Sequence, residues 1–214
     1  MSETAAAFIA ANLRLEPVPG LAGIRLYTAH PGSRLSRLLD ADDPDPPAPY
    51  WAYAWAGGLA LARHFRAHPT LVAGRRVLDL GAGSGLVGIV AAQAGASAEA
   101  AEIDLHGKAA IALNAAANGV MIGLRDIDLD GPVPAGVDLI AAGDVFYNAG
   151  VAATMLAFLQ RCRTAGIEVL VGDPARRDLP LAQLEPLARY AVSDVGDARD
   201  STERTGTVYR LTAG

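Results

Sequence analysis

Residues 77–88 read VLDLGAGSGLVG, an apolar run that stops abruptly in glycine. An apolar stretch of this length ending in glycine marks a buried strand turning into a helix. Gly81 and Gly83 permit a turn that side chains would obstruct, and Gly85 lets the next helix approach closely. In an open α/β sheet, ligands sit beyond the carboxyl ends of the strands, so Gly81, Ala82, Gly83, Ser84 and Gly85 are candidate ligand contacts. The spacing separates the ligand classes. A phosphate-gripping loop needs Lys-Ser/Thr after its glycines, where Leu86 and Val87 stand. The dinucleotide fingerprint needs glycine at position 86. What is left is GxGxG, against which an uncharged part of a nucleoside ligand can press.

Outward from this turn, apolar strands alternate with Ala-rich helices. The pattern predicts strands at Arg76–Leu80, Ser97–Ile103, Leu124–Asp128, Val137–Ala142, Glu168–Val171, Tyr190–Val195 and Thr207–Leu211. Helices are expected at Gly85–Ala94, His106–Asn118, Ala149–Cys162 and Leu181–Ala188. Buried strands joined by helices imply a mostly parallel sheet covered on both faces, an α/β fold. The last two strands are joined by a short segment, too short for a parallel crossover, so the final strand should return antiparallel. The expectation is a seven-stranded Rossmann-like sheet. Ahead of it, 2–13 is read as a short helix, 23–29 as a short strand, and DADDPDPPAP at 40–49 as an exposed extended connection. A helix is expected from Ala56 to about Ala67. The domain reading is an N-terminal extension over 1–49 and one α/β domain over 50–214.

Bulk composition narrows the function. The 214 residues are 51% hydrophobic and 19% charged, which excludes a wholly disordered chain. A formal charge of -5 argues against a broad electrostatic grip on nucleic acid. One cysteine, Cys162, excludes an internal disulfide framework, and four scattered histidines lack metal-ligand spacing, so no metal is expected. The N-terminus has an early acid and no basic n-region, and no apolar run approaches a membrane span. The cytoplasm is the expected compartment, with a monomer as the default state.

Several polar and aromatic residues fall where the ligand edge should be. Glu102 and Asp104 close the second strand as AEID, placed to accept from ribose hydroxyls; Glu102, with Ile103 beside it, is nearer the strand end and Asp104 is the fallback. In RDIDLDG, Asp126 can accept from an adenine amino group while Ile127 covers the ring, although Asp128 and Asp130 compete. Asp79 can accept from a ligand ammonium or from turn amides. Trp51 and Trp55 form an i,i+4 aromatic pair for which core packing is the competing reading.

DLGAGSG, EID and GDVFY together resemble the seven-stranded, class I S-adenosylmethionine-dependent methyltransferases, over roughly 50–212. PYWAYAWAGG at 49–58, LNAAANG at 113–119, DVFY at 144–147 and GDPAR at 172–176 are similar to the protein-lysine methyltransferases carrying an Asp-x-x-Tyr motif. The resemblance implies S-adenosyl-L-methionine as cofactor. Asp79 and the Gly81–Gly85 turn would hold its methionine portion, Glu102 its ribose, Asp126 and Ile127 its adenine, and Trp55 would pack on it from the N-terminal side. It further implies the electron transfer flavoprotein β-subunit as protein substrate.

At the reacting end, methyl transfer needs the nucleophile, methyl carbon and sulfur nearly in line. Asp144, which also borders the cofactor, can orient a lysine amine, and Tyr147 can line the channel beside Phe146. Asp173 is expected in the acceptor wall and Arg176 against acidic residues of the partner, with Trp51 also facing the substrate. The N/D-P-P-Y/F type of motif is absent, which disfavours nucleobase amino and glutamine substrates. Two further readings stay open: methylation of a ribosomal protein or a small amine, and a cofactor-binding interaction module without catalysis.

Overall fold

The computed structural model describes residues 4–38, 48–193 and 204–212. The connection expected at 40–49 therefore lies, except for its last two residues, outside the described residues. The chain opens with α1 (Ala5–Asn12), capped by Thr4, and an antiparallel hairpin of β1 (Arg14–Pro17) and β2 (Arg25–Thr28). There follow α2 (Ala56–Ala67), β3 (Arg76–Leu80), α3 (Leu86–Gln93), β4 (Ser97–Ala101) and α4 (Leu105–Ala117). The remainder is β5 (Gly123–Leu124), β6 (Leu139–Gly143), α5 (Ala149–Thr164), β7 (Glu168–Asp173), β8 (Leu184–Val192) and β9 (Arg204–Leu211).

The main sheet has seven strands in the order β5-β4-β3-β6-β7-β9-β8. The first five are parallel, and β9 runs antiparallel between β7 and β8, as the short final connection requires. Period-two alternation sends side chains to opposite faces. Val77, Leu139, Ala141 and Leu170 join a core with Leu61 and Phe65 of α2 and Ile89 and Val90 of α3. Leu78, Ile140, Ala142 and Val171 join a second core with Met155, Phe158 and Leu159 of α5. Each fully buried side chain of this kind contributes about 1.5–3 kcal/mol.

Three expectations are corrected. Leu181–Ala188 is not a helix: only a 3-10 turn at Leu181–Gln183 precedes the nine-residue strand β8. Pro186 would break a helix there, and it is accommodated at a register shift on the edge strand, where a missing N–H does no harm. The strand expected at Leu124–Asp128 shrinks to Gly123–Leu124: pairing with β4 ends at Leu124, and beyond it Ile127 and Leu129 turn onto the second core. The strand expected at Ser97–Ile103 stops at Ala101, leaving Glu102 and Ile103 at its tip.

The N-terminal segment docks on α4. Phe8, Ile9 and Leu13 pack with Trp51, Ala52 and Ala110. Asn114, fully buried, accepts from Tyr27 N at 2.8 Å and donates to Ser84 O at 2.8 Å, tying β2 to the glycine turn. Among the described residues no helix is long and apolar enough to cross a membrane.

Candidate active site

The chain builds β4 and β5 on one side of β3 and then returns to β6 on the other. Strand connections leave in opposite directions at this switch, and a cleft opens between the carboxyl ends. Tyr53, Trp55, Asp79, the turn at 81–84 and Asp144 line it. Gly81, Gly83 and Gly85 have φ of 68°, 53° and 78°, a left-handed path that L side chains resist. Gly85 also lies against Ile111 of α4, where an added Cβ would sit 3.1 Å from that side chain.

Two carboxylates frame the turn. Asp79, 2% exposed, accepts from Gly88 N at 2.9 Å. Burial pushes its carboxyl up to about 7, with the Gly88 amide opposing and Glu102 adding to the rise. Glu102 accepts from Gly83 N at 2.8 Å through Oε2 and from Asp104 N at 2.9 Å through Oε1. Its carboxylate is thus fixed at the strand tip with lone pairs to spare. Asp104 is instead the N-cap of α4, accepting from His106 N at 2.7 Å, which separates the two acids. Ile103 is 92% exposed at the same edge.

Asp144 holds the opposite lip. The end of β6 turns through a left-handed φ of 59° there, which brings its carboxylate under the N-terminus of α2. Oδ2 accepts from Gly57 N at 2.5 Å and Gly58 N at 3.1 Å. Trp55, the N-cap residue, makes no side-chain cap bond, so Asp144 caps α2 from another strand. The approach depends on glycines: an added Cβ at Gly143 would lie 2.9 Å from Gly58 Cα. Oδ1 accepts from Arg176 Nε at 3.0 Å and Nη2 at 2.5 Å. The Arg176 guanidinium also lies over the Trp55 ring, 5.8 Å from its centroid.

Aromatic rings continue from Trp55 to the surface. Its Nε1 donates to Tyr50 O at 2.8 Å, and the Tyr50 ring is 5.7 Å from Trp55 and 5.6 Å from Tyr147. Tyr147 is half-exposed. Asn148, not Asp144, caps α5, accepting from Val151 N at 2.9 Å.

The remaining expected site residues differ in burial and partners. Trp51 is buried against α1 and α4 with its ring stacked on His106, and Phe146 is buried in the second core, so neither faces a substrate. Asp126 is exposed and paired with Lys108 Nζ at 2.6 Å, and Ile127 packs on the second core. Asp173 is fully buried rather than part of a wall. Its Oδ1 accepts from Arg176 N at 2.6 Å, Oδ2 has no partner, and burial raises its carboxyl to about 6. Arg176 is turned inward onto Asp144, whereas Arg177 is exposed beside Asp178. Cys162 is buried, its thiol pushed up to about 11. Sequence reasoning missed Tyr53, Asn114 and the cross-strand cap. The aromatic run around Tyr53 was visible in the sequence; a cap between residues this far apart carries no local signal.

Residues 52–185 match the family described as lysine methyltransferase. The electron transfer flavoprotein beta subunit lysine methyltransferase of Xenopus laevis is 40% identical over 153 residues, covering 68% of this chain and 62% of that protein. The Danio rerio protein of the same description is 41% identical over 133 residues, covering 61% and 52%. The match thus spans less than two thirds of either relative's length. Among solved structures, ribosomal protein L11 methylase from Lactobacillus delbrueckii subsp. bulgaricus aligns with a TM-score of 0.53 at 20% identity, over 75% of this chain and 81% of that one, a likeness of fold. With the family match running through the cleft-forming strands and more than half of the chain, the protein belongs to the lysine methyltransferase family.

Proposed function

We propose that the protein transfers methyl groups from S-adenosyl-L-methionine to lysine ε-amines of a protein, and that the acceptor is the electron transfer flavoprotein β-subunit. One observation carries the chemistry: a single cleft joins a glycine turn with fixed carboxylates to an acid and aromatic rings at the opposite lip. The relatives' descriptions supply the acceptor.

The residues present suit the cofactor. Glu102 keeps acceptor capacity for two hydroxyls beyond its two backbone bonds. Asp79, buried beside the turn, would meet the ammonium of the amino-acid end, and that pairing favours its ionised form. Bound S-adenosyl-L-methionine would supply a methyl group activated on a sulfonium. The rest is positioning by the protein.

A lysine amine titrates at about 10.4 in water, so a neutral amine must be selected. Asp144 accepts bonds from two helix amides and from Arg176, and a carboxylate so stabilised is a weak base. Its part is to orient the acceptor nitrogen, the proton leaving to water. The adjacent Arg176 cation disfavours an ammonium and so favours the neutral amine. Trp55, Tyr50 and Tyr147 would sheathe the aliphatic stem and keep water from the reacting atoms.

The test is incubation of the protein with tritiated cofactor and recombinant electron transfer flavoprotein. Label in the β-subunit, located on lysine by peptide mass analysis, is the expected result. An unlabelled β-subunit would reject the acceptor, and label in a nucleic-acid or small-molecule fraction would reject the substrate class.

A further inference from the structure

Glu102 is one methylene longer than an aspartate at the same strand tip, and the structure shows where that methylene goes. Glu102 Cα is fixed at the end of β4, and its carboxylate is held by Gly83 N at 2.8 Å and Asp104 N at 2.9 Å. The intervening carbons fold back over the first turn of α4 at Gly107. A Cβ added at Gly107 would lie 2.7 Å from Glu102 Cγ and 3.1 Å from its Cδ. It would also meet Trp51 Cβ at 3.3 Å. Trp51 is itself buried in the packing between α1 and α4, so this second contact is with a side chain that is held in place. The atoms in the way are mid-chain carbons of a side chain tethered at both ends, and they cannot swing aside without releasing a backbone amide.

The tightest contacts that keep a side chain out of position 107 are those with Glu102; the Trp51 contact is looser. The φ of Gly107 is outside the left-handed region, so alanine is conformationally allowed. It is the third residue of a thirteen-residue helix, where glycine is a poor helix former and where a capping box would place Glu or Gln. The helix gives up that local stability and gains a notch.

We propose that Gly107 is a positioning residue for the cofactor's ribose, providing the space that lets a glutamate rather than an aspartate serve as the hydroxyl acceptor. The inference rests on the ribose-acceptor reading of Glu102. The pair acts as a length-matched unit: a longer acid with no side chain opposite it. It follows that alanine at 107 suits a shorter acid at 102.

The test is a double-mutant cycle read by calorimetric affinity for S-adenosylhomocysteine, with Gly107→Ala made in the native and Glu102→Asp backgrounds. Gly107→Ala should weaken binding about tenfold or more with glutamate at 102, as overpacking a fixed site does, and less than about twofold with aspartate there. Equal loss in both backgrounds, or no loss, overturns the proposal. Glu102→Ala separates the underlying reading: unchanged affinity in that variant removes the ribose role itself. A ligand-free measurement stands beside these. Amide exchange at Gly83 or Asp104 should quicken in Gly107→Ala, because one of Glu102's tethers is released, and unchanged exchange at both also overturns the proposal.

Discussion

Asp144 is a non-glycine residue in a left-handed conformation, a strain of about 1 kcal/mol that its carboxylate bonds offset. An isosteric Asp144→Asn leaves the shape but removes the charge facing Arg176. Transfer is expected to fall about 100-fold or more in single-turnover assays, with calorimetric affinity for S-adenosylhomocysteine largely kept. A parallel loss of both would refute its acceptor-side role. The buried acids titrate near neutrality and so predict pH effects. Asp79 is raised to about 7, so its ionised form gains population as pH rises from 6 to 8. Binding of the cofactor's ammonium should tighten over that window, and Asp79→Asn should flatten the calorimetric pH profile. Asp173 titrates from 3.8 unfolded to about 6 folded, so the folded state holds more protons between these values. The Asp173 contribution to stability therefore falls as pH rises from about 4 to 6 and levels off above, while Asp79 extends the overall fall to about 7. Urea denaturation should show a shallower fall across that window in Asp173→Asn.

At the scale of elements, most of the central sheet was legible because apolar runs and glycine turns are local signals. The turn at 81–85 and the tip residue Glu102 both came from spacing alone. β8 was misread because Leu, Ala and Gln favour helix locally, whereas pairing with β9 along Leu184–Val192 decides the outcome. The roles of Asp144 and Arg176 were only half legible. Their types suited a charged site, but their mutual contact and the cap on α2 arise from chain crossings that sequence order conceals. Asn114 is a similar case, a polar residue in an Ala-rich helix whose partners lie on β2 and the turn. Asn114→Ala would strand a buried amide and a carbonyl, costing about 1–3 kcal/mol. The expected signs are a lower melting temperature and faster exchange at the Tyr27 amide.

Across the whole molecule, α2 is the element that joins the sheet to the site. It lies directly on β6 and β7 through facing glycines, and a methyl on Gly57 or Gly172 would collide with the other's backbone. Gly172→Ala should therefore destabilise the fold by about 3 kcal/mol, near the upper range for overpacking, and lower transfer with it. The same arrangement has an optical consequence. The protein has two tryptophans, Trp51 sealed in the interior and Trp55 lying beneath the Arg176 guanidinium at the mouth of the cleft. A nearby cation and the adjacent Tyr50 carbonyl set the polarity around the Trp55 indole. Replacing Trp51 with phenylalanine would leave one tryptophan, and its emission, excited beyond tyrosine absorption, would register displacement of Arg176 in the segment after β7. A protein with that single tryptophan would report movement at the mouth of the cleft without label or turnover.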